Sequence, residues 1–131
     1  MLWFQGESDT VNKQDADLYR GRLERFFHDF RSDLQTPMLP IFQVALASGS
    51  GPFIEEVREG QLKLNTSIPK VECVDAKGLP LEPDRLHLTT PAQVKLGQML
   101  AASFLHSLCN NASHPKSRSS SLIISNDYGG G

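Results

Sequence analysis

The feature that most constrains this chain is a repeated alternation: short apolar runs, each emptying into a loop of small or polar residues, separated by longer amphipathic segments. Leu2-Trp3-Phe4 is the first run and ends in Gln5-Gly6-Glu7-Ser8-Asp9. From about Asp15 to Leu34, Leu18, Leu23, Phe26, Phe27, Phe30 and Leu34 follow helical spacing, with Arg20, Arg22, Glu24, Arg25, Asp29 and Arg31 on the other face. Pro37 and Pro40 stop that helix. Ile41 to Leu46 is almost unbroken apolar sequence, as a strand covered on both faces requires, and opens into Ala47-Ser48-Gly49-Ser50-Gly51. Pro52 then starts a second helix, with Phe53, Val57, Gln61 and Leu64 inward and Glu55, Glu56, Arg58 and Glu59 outward. Val71 to Val74 forms a third run closing on Asp75. A loop with Gly78, Pro80 and Pro83 leads to a last helix near Thr90, where Thr90 serves as cap, Pro91 stands in the first turn and Gln93 lies three residues on. Val94, Leu96, Leu100, Ala101, Phe104 and Leu108 continue it.

Strands joined by helical crossovers pair in parallel and need helices on both faces. The expected fold is therefore α/β, a three-layer parallel sheet. An open doubly wound sheet has about five or six strands; with three runs and the first beginning at Leu2, this one is expected to lack its N-terminal strands. Residues 1–109 are expected to form the domain. Residues 110–131, with Lys116-Ser117-Arg118-Ser119-Ser120-Ser121 and the closing Gly129-Gly130-Gly131, are expected to be a disordered Ser/Gly-rich tail.

Charge and composition narrow the function classes. Thirteen basic and 15 acidic residues give a formal charge of -2, with no basic stripe of the kind that holds nucleic acid. No apolar run approaches the ~18 residues of a membrane span. Met1 to Phe4 lacks the basic region and long apolar stretch of a signal peptide, and nothing points to a compartment. Cys73 and Cys109 sit in apolar segments and are expected to be buried thiols rather than a disulfide framework. His28, His106 and His114 are not spaced with Cys or another His as metal ligands are, so metal catalysis is not expected.

In an open parallel sheet the chemistry lies beyond the carboxyl ends of the strands. The segments there are Gln5-Gly6-Glu7, Ser48-Gly49-Ser50 and Asp84-Arg85-Leu86-His87. An Asp three residues before a His can accept the imidazole N–H and leave the other ring nitrogen as a proton acceptor, the orientation a serine nucleophile needs; the same pair also occurs as an ordinary surface contact. Gln5 offers an amide donor for a developing oxyanion, or a bond to a neighbouring loop. Glu7 suits a buried structural carboxylate, an orienting group or a solvated loop residue. Ser48 and Ser50 do not sit in the G-x-S-x-G setting of an exposed nucleophile.

Several blocks, in order, resemble one family. Leu2-Trp3-Phe4-Gln5-Gly6-Glu7-Ser8-Asp9 is similar to the W-x-Q-G-E-S/N segment of the sialate O-acetylesterase-like branch of SGNH hydrolases. Pro40-Ile41-Phe42-Gln43-Val44-Ala45, Val57-Arg58-Glu59-Gly60-Gln61-Leu62 and Val74-Asp75-Ala76-Lys77-Gly78-Leu79-Pro80-Leu81 resemble the plant carbohydrate-esterase members of that branch, and Asp84-Arg85-Leu86-His87-Leu88-Thr89 their D-x-x-H block. The resemblance covers roughly residues 2–109. It implies a flavodoxin-like SGNH hydrolase fold and removal of acyl groups, typically acetyl, from sugar hydroxyls by a serine, without cofactor. It implies His87 as general base, Asp84 as its orienting acid, Gln5 as third oxyanion donor and Glu7 as a supporting or second acidic group. The substrate it implies is an acylated carbohydrate or another small ester.

The family's nucleophile stands in a G-Q-S-N block preceding the W-x-Q-G-E segment, and no such block occurs in this sequence. The chain is thus expected to be a truncated esterase, inactive alone, or alternatively a non-catalytic isoform or pseudoenzyme that binds a partner. The outer edge of its first strand is expected to favour self-association.

Overall fold

The computed structural model describes residues 1–112. Its elements are β1 (Leu2–Trp3), a 3₁₀ turn (Ser8–Thr10), α1 (Lys13–Asp33), β2 (Ile41–Ala45), α2 (Ile54–Ser67), β3 (Val71–Asp75) and α3 (Thr90–Ala112). The three strands form one parallel sheet in the order β1-β2-β3. Leu2 faces Phe42 across the first pair, and Ile41 faces Val71 across the second. This is the α/β parallel-sheet architecture expected of the alternation. α3 runs three residues beyond Cys109; the remainder of the expected tail lies outside the described residues.

β2 is buried at all five positions, so its side chains serve two cores by strict alternation. Ile41 joins Leu23, Phe27, Val57 and Leu64 beneath α1 and α2. Val44 turns to Val74, Ala92 and Leu96 beneath α3, and Phe42 meets the Phe104 ring at 5.7 Å. Phe27 and Leu64 are completely buried, each contributing about 2–3 kcal/mol of transfer free energy. Trp3 lies against Phe26 at 4.6 Å between ring centroids, which ties β1 to α1.

Several side chains depart from the expected faces. Leu18 is 45% exposed and Leu34 is also exposed, while Ala16 and Tyr19 turn inward. Arg31 and Arg58, expected outside, are both 4% exposed. Their aliphatic stems pack while their guanidinium groups reach backbone carbonyls. Arg31 donates to Leu39 O at 2.7 Å and to Pro69 O at 2.9 Å, below the starts of β2 and β3. Arg58 donates to Leu46 O and pairs with the Asp75 carboxylate at 2.8 Å, across their ends. Burial works against the charged Asp75, but the Lys77 backbone N–H and Arg58 together hold its carboxyl below the usual range. The side-chain cap of α3 is Thr89 rather than Thr90: its Oγ1 accepts from Ala92 N at 3.3 Å. No disulfide joins the cysteines; Cys73 is half-buried and Cys109 exposed rather than buried. Burial raises the Cys73 thiol to about 11, so it stays protonated at neutral pH.

The loop after β2 packs directly on the 3₁₀ turn. A Cβ at Gly51 would fall on the Thr10 carbonyl and the Val11 Cα. Gly51→Ala is therefore expected to destabilise the fold by about 1–3 kcal/mol, measured as a lower midpoint in urea, whereas Gly21→Ala, where a Cβ meets nothing within 4 Å, should be neutral or slightly stabilising.

Candidate active site

All three strands are parallel, so the loops that follow them gather at one end of the sheet. The loop after β1 turns at Gly6, whose φ of +130° favours glycine; a Cβ there would stand 2.9 Å from the Tyr19 hydroxyl oxygen. The Gln5 carbonyl accepts from Tyr19 OH at 2.8 Å and from Gln61 Nε2 at 3.0 Å. Fully buried Thr10 donates its hydroxyl to Glu7 O at 2.6 Å and accepts from Gly51 N at 2.9 Å. Ser50 N also donates to Glu7 O, at 3.1 Å. The first two loops are thereby laced together. Ser48 is nearly buried, and its hydroxyl donates to Leu86 O at 2.5 Å, tying the second loop to the third.

The third loop is a closed turn. Glu82 N donates to His87 O at 2.7 Å, Arg85 N to Glu82 O at 2.9 Å and Thr89 N to Pro80 O at 3.0 Å. Arg85 adopts a left-handed conformation, with φ at 58°. Within the turn, Asp84 Oδ1 accepts from the backbone N–H groups of Leu86 (2.9 Å) and His87 (3.0 Å), and its Oδ2 lies 2.6 Å from His87 Nδ1. The His87 hydrogen bond, then the two backbone donors, hold the Asp84 carboxyl at about 2. The Asp84 bond and charge raise the imidazole above its usual 6.5, with smaller contributions from Glu7 and Glu82. His87 is 71% exposed and Asp84 49%, so the pair is open to a substrate. Because Nδ1 is occupied by the carboxylate, Nε2 of the neutral ring is left as the proton acceptor.

His87 and Glu7 line one open cleft of ≈ 350 Å³ with Phe4, Leu86, Gln93 and Leu96. Asp84, His87 and Glu7 thus come together. The Gln5 side chain does not join them. Its Nε2 donates to Asp9 at 2.9 Å, its Oε1 accepts from Tyr19 OH at 3.2 Å, and it lines a different cleft with Trp3, Tyr19 and Phe26. The ties made by Tyr19 and Ser48 carried no sequence signal; Gln61, a polar residue at a core-facing helical position, did. Among the described residues there is no group of three or more His, Cys, Asp or Glu that could hold a metal ion, and no helix long and apolar enough to cross a membrane.

Comparison with known proteins places these features in context. Residues 1–106 match the model of a family described as carbohydrate esterase, sialic acid-specific acetylesterase. Over 109 residues the chain is 53% identical to a probable carbohydrate esterase of Arabidopsis thaliana, covering 83% of this chain and 41% of that protein. The X-ray structure of an Arabidopsis thaliana protein, 53% identical, superposes with a TM-score of 0.76 over 80% of this chain and 43% of that one. The chain therefore spans about two-fifths of the length of these relatives.

Because Asp84 raises the imidazole, Asp84→Asn should lower the protonation midpoint of His87. An NMR titration of the imidazole C2–H would read the fall, and added salt should shrink the wild-type shift, since both groups face solvent.

Proposed function

Because this chain belongs to the sialic acid-specific acetylesterase family of carbohydrate esterases, we propose that its cleft is the base-bearing half of a serine-type site hydrolysing acyl esters, acetyl esters above all, on carbohydrate. The observation that carries this reading is the Asp84–His87 pair, 2.6 Å apart and opening on the cleft it shares with Glu7.

In the proposed reaction His87 Nε2 takes the proton of a serine hydroxyl as its oxygen attacks the ester carbonyl, then returns it to the departing sugar oxygen. Water, deprotonated by the same nitrogen, attacks the acyl-serine and releases the carboxylate, restoring the serine. Asp84 holds the ring in the required tautomer and stabilises the imidazolium. Glu7, a second carboxylate on the same cleft, supports the positive ring. Gln5 would have to leave Asp9 and Tyr19 for its amide to donate to the oxyanion. Metal and cofactor have no part in this scheme.

No G-Q-S-N block occurs in the 131 residues. The second reading follows from that: the chain alone is a non-catalytic binding partner. The proposed division is a domain over residues 1–109 followed by a tail over 110–131. Leu2 is 66% exposed within β1, which among the described residues pairs only with β2, and we take this open edge as a surface for self-association.

Three measurements test the reading. The 131-residue chain should show no turnover of p-nitrophenyl acetate or acetylated sugars at ordinary enzyme rates; turnover abolished by Ser48→Ala or Ser50→Ala would contradict it. In a polypeptide that also carries the G-Q-S-N block, His87→Ala should lose on the order of a thousandfold in kcat, and near-normal rates would remove His87 as base. Size-exclusion chromatography should show concentration-dependent association of the chain, and a monomer at all concentrations would rule out the edge.

A further inference from the structure

We propose that Leu122-Ile123-Ile124, the apolar run beyond α3, returns to lie as a parallel strand on the open edge of β1, over the apolar groove that β1 forms with α3. What this implies for the association of two copies rests on reading that edge as a surface for self-association.

The hand of the crossovers decides where a strand after α3 can pair. The sheet grows in one direction, from β1 to β2 to β3. The helices of that growth, α1 and α2, pack on one face with Ile41 and Val71. α3 packs on the other face, with Val44 and Val74. Crossovers between parallel strands are almost always right-handed. A helix that changes face keeps that hand only if the next strand pairs in the reverse direction, and a strand beyond β3 would need a left-handed connection. Both sides of β2 are already paired. The position left is the edge of β1.

That edge suits an apolar strand. Phe42 N donates to Met1 O at 2.9 Å; carbonyls alternate in direction along a strand, so Leu2 O points away from β2, toward the edge. On the α3 face lies a groove of ≈ 490 Å³ whose lining includes Met1, Leu2, Pro40, Phe42, Leu100 and Phe104. Phe104 is 45% exposed there. On the α1 face stand Trp3 and Phe26, only partly buried. A strand covered on both faces is a continuous apolar run rather than an alternating one. Leu122-Ile123-Ile124 is the one run of consecutive apolar residues after Ala112, and two of its three residues are β-branched. Alternation turns Leu122 and Ile124 to one face and Ile123 to the other.

The chain is long enough to make the return. α3 ends at Ala112, and coming back from there to the level of Phe104 takes about 12 Å. The ten residues from Ala112 to Leu122 can span up to ~33 Å. A tethered segment has an effective concentration on the order of millimolar, so it competes with a second copy for the same edge.

The test uses Trp3, the one tryptophan of the chain, in the full 131 residues at sub-micromolar concentration, where two copies seldom meet. Acrylamide quenching of the wild type is compared with that of Leu122→Ser/Ile123→Ser/Ile124→Ser, which leaves residues 1–112 untouched; circular dichroism monitors the fold. The triple variant should be quenched about twofold more readily and emit further to the red, as a side chain that has lost apolar cover does, whereas Ile123→Val/Ile124→Val should match the wild type. In size-exclusion chromatography at higher concentrations the triple variant should associate more tightly, on the order of tenfold, because its edge is always free. Equal or weaker quenching of the triple variant, or association of equal strength in the two proteins, overturns the inference and leaves self-association standing. Unequal quenching with both proteins monomeric at all concentrations removes the self-association reading and leaves the docked segment.

Discussion

Gln61 is the residue on which the arrangement of loops depends. It sits fully buried on α2, and its amide reaches two strand ends at once: Leu46 N beyond β2 and the Gln5 carbonyl beyond β1. A buried amide left unpaired would be costly, so each bond forces the others. Tyr19 shares the Gln5 carbonyl, and Gln43 reaches across from the middle of β2. Polar groups inside an otherwise apolar layer thus fix the relative height of two strands, which burial alone leaves adjustable. The bend that carries Gly6 and Glu7 follows from that height.

At the opposite end of β2 and β3, Arg31 does comparable work with a charge, collecting the carbonyls of Leu39, Pro69 and Lys70. Arg58 bridges their carboxyl ends through Leu46 O and Asp75. Asp75 carries a depressed pKa, so its contribution to stability is present above its unfolded value of 3.8 and is lost as pH falls below it. Half the carboxylate faces solvent, which keeps the contribution small.

Much of the framework was legible because period carries it. The unbroken run Ile41–Leu46 and the helical spacing through Phe27 yielded β2 and α1 within a residue or two, and the Thr-Pro pair at Thr90 yielded the start of α3, whose end lies beyond the expected one. Side-chain direction was harder. Arginine reads as surface by type, yet Arg31 and Arg58 are buried because the carbonyls that receive them come from segments distant in sequence. Leu18 reads as core and lies outside because Tyr19, one position on, takes the inward direction for its bond to Gln5. The site divided along the same line. Asp84 and His87 are three residues apart, so their contact follows from local geometry. The side-chain direction of Gln5 depends on Asp9 and on Tyr19, 14 residues on, and no local pattern encodes that.

The strap from Ser48 to Leu86 spans 38 residues, and the bond from Gln61 to Gln5 spans 56. Contacts of such separation close large loops, and the chain loses that entropy before the contacts form. The cleft is therefore a late product of folding, present only when all three strands have docked. Hydrogen exchange should follow the same hierarchy. β1, paired to β2 through only Leu2 and Trp3, opens most readily, and β2 with β3, paired over five positions, opens last. Each opening of β1 carries the Gly6 bend away from an intact Asp84–His87 turn, so the two halves of the cleft differ in lifetime as well as in sequence.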